Sequence, residues 1–83
     1  MSHKINWAPA LNDLRALDRE VSERIVKKVC SIVDNPFRYV EKLVDYPLFK
    51  LRIGDYRAIV DIQKEEIIVV LVDHRHKVYK RLR

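Results

Sequence analysis

Glycine, proline and long apolar runs are scarce in this sequence. Its 83 residues include one glycine and three prolines, while 48% are apolar and 35% are charged. This balance is typical of a globular chain rather than a disordered one. The longest apolar run, Ile67–Val72, is too short to cross a membrane, and no signal peptide is recognisable. We therefore expect a cytoplasmic protein.

Cysteine occurs once, at Cys30, which excludes an internal disulfide. Cys30 lies in the apolar run Ile25–Val33, so we expect a buried, unreactive thiol. The length of the chain predicts one domain, residues 1–83, with a small core. Because such a core is only marginally stable, a binding partner would help to stabilise it.

Acidic residues are fewer than basic ones, 12 against 17, which gives a formal net charge of +5. This excess of positive charge favours an acidic partner, either nucleic acid, an acidic protein or both. A basic surface that is simply solvated would explain the same composition.

Hydrophobic spacing predicts a short strand and two helices in the first half of the chain. Lys4–Trp7 alternates as a strand does, and helical spacing follows from Pro9 to about Leu17. Asp18 is a suitable N-cap for a longer second helix, which Asn35-Pro36 ends. We expect these two helices to form an antiparallel hairpin whose apolar stripe covers a sheet.

The second half predicts three strands. Segment 37–47 is predicted as a loop with one helical turn, and Gly54-Asp55 is a tight turn between strands 48–53 and Tyr56–Gln63. Ile67–Val72 is a third strand, covered on both faces, and a short basic tail follows. The predicted fold class is α+β, a small antiparallel sheet of three to four strands with an N-terminal helical hairpin packed on one face.

The turn at Gly54-Asp55 sets the register of its two strands. It places Arg52 directly opposite Arg57, and Lys50 lies two positions along on the same face. Like charges opposite each other destabilise a sheet, so this cluster suggests that an anion binds there. The end of the third strand should lie near Ile62-Gln63 or near Arg57, depending on register. If the strand lengths match, it lies at the turn, which would bring residues 74–79 to this surface.

Such a basic cluster suits a phosphodiester, because arginine binds phosphate oxygens with two parallel hydrogen bonds. RNA supplies its own nucleophile, the 2′-hydroxyl, so the protein needs only a base, an acid and positive charge, and no metal. Asp73, His74 and His76 are a weak metal motif, because a third clear ligand is missing. An ordinary solvated face, with Glu41 or Asp61 as ion-pair partners, is the alternative interpretation.

The run Leu48–Ile59 and the ending His74–Tyr79 together resemble the RelE/ParE toxin superfamily, and the RelE branch most closely. The resemblance implies a RelE-like, microbial-RNase-like fold and a toxin of a type II toxin–antitoxin system. It also implies ribosome-dependent cleavage of mRNA in the A site by attack of the 2′-hydroxyl, without metal or cofactor. The implied partners are a cognate RelB-like antitoxin, in a heteromeric complex, and the ribosome with its mRNA.

Carried over by motif, the resemblance implies catalytic roles for Lys50, Arg57, Arg75 and Tyr79. Lys50 would be the base, the two arginines would neutralise or protonate, and Tyr79 would stack on or orient the nucleotide. Some members carry a lysine where Leu48 stands here, so His74 or His76 is an alternative base. The expected substrate-binding residues are Arg52, His74, His76, Lys77 and Arg81.

Two other functions share this fold. A ParE-like toxin would inhibit DNA gyrase as a binding module and would not be a nuclease. An inactive relative would only bind its antitoxin. The resemblance favours the ribonuclease.

Overall fold

The computed structural model of the protein describes residues 3–82, which form one mixed sheet with helices on both faces. The strands are β1 (Lys4–Asn6), β2 (Glu41–Lys42), β3 (Phe49–Ile53), β4 (Tyr56–Ile62) and β5 (Glu66–His74). The helices are α1 (Leu11–Ala16), α2 (Arg19–Ser31) and α3 (Val78–Arg81), with 3₁₀ turns at Ala8–Ala10 and Pro36–Arg38. The strand order is β1-β5-β4-β3-β2. The α+β prediction is confirmed.

The sheet differs from the prediction in two details. It has five strands in the described range, not three to four, because β2 lies in the segment predicted as loop. β2 is only two residues long, too short for alternation to be visible in the sequence. β1 pairs with β5 in parallel, so the sheet is not purely antiparallel. The helical turn expected in segment 37–47 corresponds to the 3₁₀ turn Pro36–Arg38.

The predicted helical hairpin is present, with α1 and α2 joined by Leu17 and Asp18. Asp18 occupies the N-cap position of α2 as predicted, although its side chain makes no capping hydrogen bond. The buried α2 residues Ile25 and Val29 pack in one core cluster with Leu51, Ala58 and Val60 of the sheet. Burial of this stripe is what fixes the hairpin on the sheet.

Cys30 is exposed, so the prediction of a buried thiol is wrong. Val29 is fully buried, and Cys30 follows it by about 100° around the helix axis. That rotation takes its side chain off the stripe of Ile25, Val29 and Ile32. A largely apolar stretch of sequence does not by itself show which face of a helix each apolar residue takes.

The β3–β4 hairpin has the predicted register. Ile53 pairs with Tyr56 and Arg52 pairs with Arg57. Gly54 has a φ of 59°, while no other described residue has a positive φ. Glycine with positive φ at the first central position is the arrangement of a type II′ turn, whose twist matches that of the flanking strands. The single glycine of the chain therefore stands where the backbone requires one.

Replacing Gly54 with alanine is expected to lower the free energy of unfolding by about 1–2 kcal/mol, because the left-handed conformation is unfavourable for a residue with a Cβ. The added methyl would meet only Arg24 Nη1, at 3.6 Å, so strain of the backbone is the main cost. Urea unfolding would measure this loss. Asp55→Ala, the neighbouring turn residue with negative φ, is the matched control. A loss below about 0.5 kcal/mol for Gly54→Ala would contradict the argument.

A β-bulge divides the β4–β5 pair. Ile59 lies opposite Leu71, but Val60 lies opposite Val69, so Val70 is an extra residue on β5. An inserted residue reverses the faces of every side chain that follows it. Beyond Val70, Leu71 therefore lies on the face that α3 covers, and Val72 lies on the face that α2 covers.

Two core clusters result, one on each face of the sheet. The larger contains the α2 stripe, and the smaller consists of Leu43, Ile59, Leu71 and Val78. Val78 is fully buried and anchors α3 against the sheet. No helix within residues 3–82 is long and apolar enough to span a membrane.

Candidate functional site

Lys50 and Tyr79 lie in contact although 29 residues separate them in the sequence. Lys50 Nζ donates a hydrogen bond to the Tyr79 hydroxyl at 3.2 Å and lies 5.6 Å from the centre of the ring. β3 presents Lys50 on the face opposite α2, and α3 covers that face with Tyr79. Tyr79 is 41% exposed and the Lys50 side chain is 24% exposed, so a ligand can reach both polar groups.

Glu41 forms an ion pair with Lys50. The two residues are cross-strand partners, and Glu41 Oε2 lies 3.7 Å from Lys50 Nζ. The ion pair that was the alternative interpretation of Lys50 is therefore present. It is long and partly solvated, so its free energy is small, and it leaves the contact with Tyr79 intact.

Arg57 is buried, which is unusual for arginine, and lies on the same face as Lys50. Its Nη1 donates to the carbonyl oxygens of Gly54 and Tyr56, at 2.9 and 2.8 Å. No carboxylate of the described residues lies within ion-pair distance of it. No fully buried side-chain nitrogen in this range lacks a partner, so the other guanidinium nitrogens of Arg57 reach the surface. The two turn carbonyls thus fix the position of a guanidinium whose positive charge has no carboxylate partner among the described residues.

Arg52 and Arg75 lie at the same end of the sheet as Arg57. Arg52 is exposed, directly opposite Arg57, and forms no ion pair with a described residue. The backbone N–H of Arg75 donates to the carbonyl of Asp55 at 2.8 Å, which places the exposed Arg75 beside the hairpin turn. The predicted convergence of the third strand on this turn is therefore confirmed.

The two histidines lie elsewhere. His74 pairs with Tyr56, on the face that α2 covers, with the two rings 5.6 Å apart. The His76 ring lies 5.1 Å from that of His74. The bulge at Val70 is the reason, because it turns His74 away from the face of Lys50. The exposed Lys77 precedes α3 and makes no side-chain hydrogen bond or ion pair with described residues.

Arg81 is held by carboxylates. Its Nη1 lies 2.9 Å from Asp13 Oδ1 and 3.2 Å from Asp73 Oδ2. The hydrogen bond to Asp13, with a smaller contribution from Asp73, raises the pKa of Arg81. Among the residues predicted to bind substrate, Arg81 is thus the one whose charge is already compensated.

A cavity of about 310 Å³ adjoins Lys50 and Tyr79, and sequence reasoning missed its other wall. Lys42 Nζ donates to the carbonyl of Tyr46, and the Tyr46 hydroxyl donates to the carbonyl of Leu82, both at 2.7 Å. The first bond closes segment 42–46 on itself, and the second ties it to the C-cap of α3, so that a concave surface lies beside the Lys50–Tyr79 pair. The mixture of aromatic and charged residues in this segment was the signal available in the sequence.

Metal ligands are not grouped in the described residues: no three histidine, cysteine, aspartate or glutamate side chains of residues 3–82 lie together. In the weak metal motif of Asp73, His74 and His76, Asp73 forms an ion pair with Arg81 and lies on the opposite face of the sheet from His74.

Comparison with known proteins places the chain in a family. A family model described as the ParE toxin of the type II toxin–antitoxin system parDE matches residues 7–79. No curated protein sequence matches the chain significantly.

Solved structures share the fold. A chain of the toxin–antitoxin complex RelBE2 from Mycobacterium tuberculosis has a TM-score of 0.82 at 22% identity, over 90% of this chain and 100% of that one. A mutant of E. coli toxin RelE in the free state has a TM-score of 0.76 at 26% identity, and the match covers 96% of this chain and 93% of that one. A chain of the archaeal RelE–RelB complex from Pyrococcus horikoshii has a TM-score of 0.72 at 20% identity, and the match covers 90% of this chain and 97% of that one.

The family match spans most of the chain, and the superpositions cover nearly all of it. This chain therefore belongs to the family of ParE toxins of type II toxin–antitoxin systems, and its fold is that of the RelE toxins.

Proposed function

We propose that this toxin is a ribosome-dependent endoribonuclease that cleaves mRNA in the A site and so arrests translation. The observation that carries the proposal is the contact between Lys50 and Tyr79 on the face that also holds Arg57. Groups able to transfer protons thus lie beside an arginine without a carboxylate partner. A module that only bound a protein would not require this combination.

In the proposed reaction the 2′-hydroxyl of one nucleotide attacks the adjacent phosphorus, and the bond from phosphorus to the 5′-oxygen breaks. The products are a 2′,3′-cyclic phosphate and a free 5′-hydroxyl, so one proton is removed and one is returned. We assign these transfers to the Lys50–Tyr79 pair and neutralisation of the phosphorane to Arg57 and Arg75. Arg52 and Lys77 are assigned to the RNA backbone.

His74, His76 and Arg81 fit these roles less well. The histidines lie away from Lys50, which favours Lys50 as the base. Arg81 already has two carboxylate partners, and a phosphate would have to compete with them. The cavity beside Lys50 and Tyr79 offers space for one base of the RNA.

A cognate antitoxin is the proposed protein partner. Two of the similar structures are described as complexes of a toxin with its antitoxin. The net charge of +5 favours an acidic partner segment that would cover the basic face. Action on ribosomes places the proposed site of action in the cytoplasm.

Inhibition of DNA gyrase is the second candidate function, favoured by the description of the matching family model as a ParE toxin. It would need an exposed binding surface but no convergence of Lys50, Tyr79 and Arg57. The purified chain, added to gyrase in a supercoiling assay, tests it directly. Unchanged supercoiling removes this candidate.

The experiment that tests the leading proposal maps mRNA 5′ ends after induction of the chain, with and without its antitoxin. We expect new 5′ ends within translated codons, absent when the antitoxin is co-expressed. Their absence during toxicity would overturn the ribonuclease assignment. Absence of both toxicity and cleavage would indicate an inactive relative.

A further inference from the structure

Asp13 of α1 binds the open edge of β5, far from the site in sequence. β1 pairs with β5 only as far as Ile68, so no strand of residues 3–82 lies beside the backbone of Val72 on that side. Asp13 Oδ2 accepts the N–H of Val72 at 3.0 Å, and Arg81 Nη1 donates to its carbonyl at 3.4 Å. Two side chains thus occupy the place of a further strand.

The same two side chains form an ion pair with each other. Arg81 Nη1 lies 2.9 Å from Asp13 Oδ1, and the side chain of Asp13 is only 17% exposed. A single guanidinium therefore connects α1, β5 and α3. A pair that is partly shielded from water, with additional hydrogen bonds to the backbone, is more ordered than an exposed surface pair.

This connection adds a side-chain anchor to a helix that is too short to be stable alone. α3 is a four-residue helix, and one helical turn is not stable by itself. Val78 holds it against the core, and the Tyr46 hydroxyl holds its C-terminal end through the carbonyl of Leu82. Tyr79 and Arg81 are two positions apart, about 200° around the helix axis, so they contact the sheet on different sides. Arg81, bound on β5, is therefore the contact that restrains rotation of α3 on the side away from Tyr79.

We propose that Asp13 and Arg81 are positioning residues, which orient α3 so that the Tyr79 hydroxyl stays in hydrogen-bond contact with Lys50. The inference rests on the function proposed above, because it assigns these residues to the geometry of that site. It gives Arg81 a role different from substrate binding, and it adds Asp13, which the sequence did not single out.

The pair also keeps a carboxylate away from Arg57. Asp73 is the cross-strand partner of Arg57, close enough in a sheet for their side chains to meet. Asp73 instead pairs with Arg81 at 3.2 Å. Loss of Arg81 would release Asp73 toward Arg57 and reduce the positive charge available to a phosphate.

The first test is spectroscopic and does not depend on activity. Lys50 Nζ lies 5.6 Å from the centre of the Tyr79 ring, so the ring current should displace the NMR resonances of the Lys50 ε-methylene protons. The variant Tyr79→Leu gives the chemical shift of these protons in the absence of the aromatic ring. In Asp13→Ala we expect these resonances to move at least half-way to that value, with the core methyl resonances unchanged. No movement in the folded variant would overturn the inference.

Asp13→Asn and Glu23→Ala make this result specific. Asparagine keeps an acceptor for the N–H of Val72 but loses the charge that holds Arg81, so it should fold and still show part of the movement. Glu23 pairs with Arg19 on the exposed surface of α2, so Glu23→Ala removes one carboxylate without touching α3 and should show none. Equal movement in Glu23→Ala would contradict a specific role for Asp13.

The second test is a double-mutant cycle on kcat/KM for ribosome-dependent cleavage. We expect losses of about tenfold for Asp13→Ala and for Arg81→Ala, since small misplacements of reacting groups cost up to about a hundredfold. The double variant should lose no more than the larger single loss, because the residues act as one unit. If the double variant lost kcat/KM by the product of the two single losses, the inference would be overturned. If the wild-type chain did not cleave mRNA on the ribosome, the proposed function would be refuted, and the spectroscopic test would remain valid.

Discussion

Replacing Arg57 with alanine is expected to lower the rate of mRNA cleavage by about 10²–10³, or about 2.7–4 kcal/mol of transition-state stabilisation. The charge of Arg57 has no carboxylate partner among the described residues, and two turn carbonyls fix its position. A fixed, uncompensated charge stabilises a phosphorane without reorganisation during the reaction. Single-turnover cleavage of ribosome-bound mRNA would measure the effect.

Arg57 also bonds the hairpin turn, so the experiment must separate folding from chemistry. Arg57→Lys keeps a positive charge while losing the planar fork, and it should fold and retain only a small part of the activity. Arg19→Ala removes an exposed arginine of α2 and is the control for net charge. Circular dichroism and thermal unfolding would verify each fold. Wild-type cleavage in both Arg57→Ala and Arg75→Ala would refute the site.

Replacing Lys50 with arginine is expected to reduce cleavage nearly as much as replacing it with alanine, by about 10²–10⁴. Arginine keeps the positive charge but cannot accept a proton, because it stays protonated in proteins. Lys50 is the residue whose Nζ contacts the Tyr79 hydroxyl, so loss of proton transfer should dominate. The rate of the chemical step as a function of pH would measure this loss.

Two companion variants define the role of Lys50. Tyr79→Phe keeps the aromatic ring and removes the hydroxyl, so it should lower the rate of the chemical step while leaving mRNA affinity nearly unchanged. Glu41→Gln removes the nearby carboxylate and should change the rate by less than about threefold, since the ion pair is long and partly solvated. Near-complete activity in Lys50→Arg would show that the residue supplies charge alone and would refute its assignment as base.

Much of the site was predictable where chain connectivity fixes it. A two-residue turn at the only glycine determines which residues face each other, so Arg52 opposite Arg57 followed from Gly54. Because successive antiparallel strands alternate in direction, β5 runs the same way as β3 and ends beside the β3–β4 turn. This direction placed Arg75 beside the turn. The exposure of Cys30 was not predictable in this way, because it depends on the 100° rotation around the helix that separates Cys30 from the buried Val29.

Neighbouring residues along the chain dictate the hairpin, its register and the like-charge cluster. Tertiary structure decided which face each later residue takes. The bulge at Val70 puts Asp73 on the face of Arg57 and His74 on the other, because packing on both faces of the sheet selects one extra residue there. The edge of β5 left open beyond Ile68 made Val72 a partner for Asp13, 59 positions away. Such contacts arise from the spatial order of strands, which no local pattern encodes.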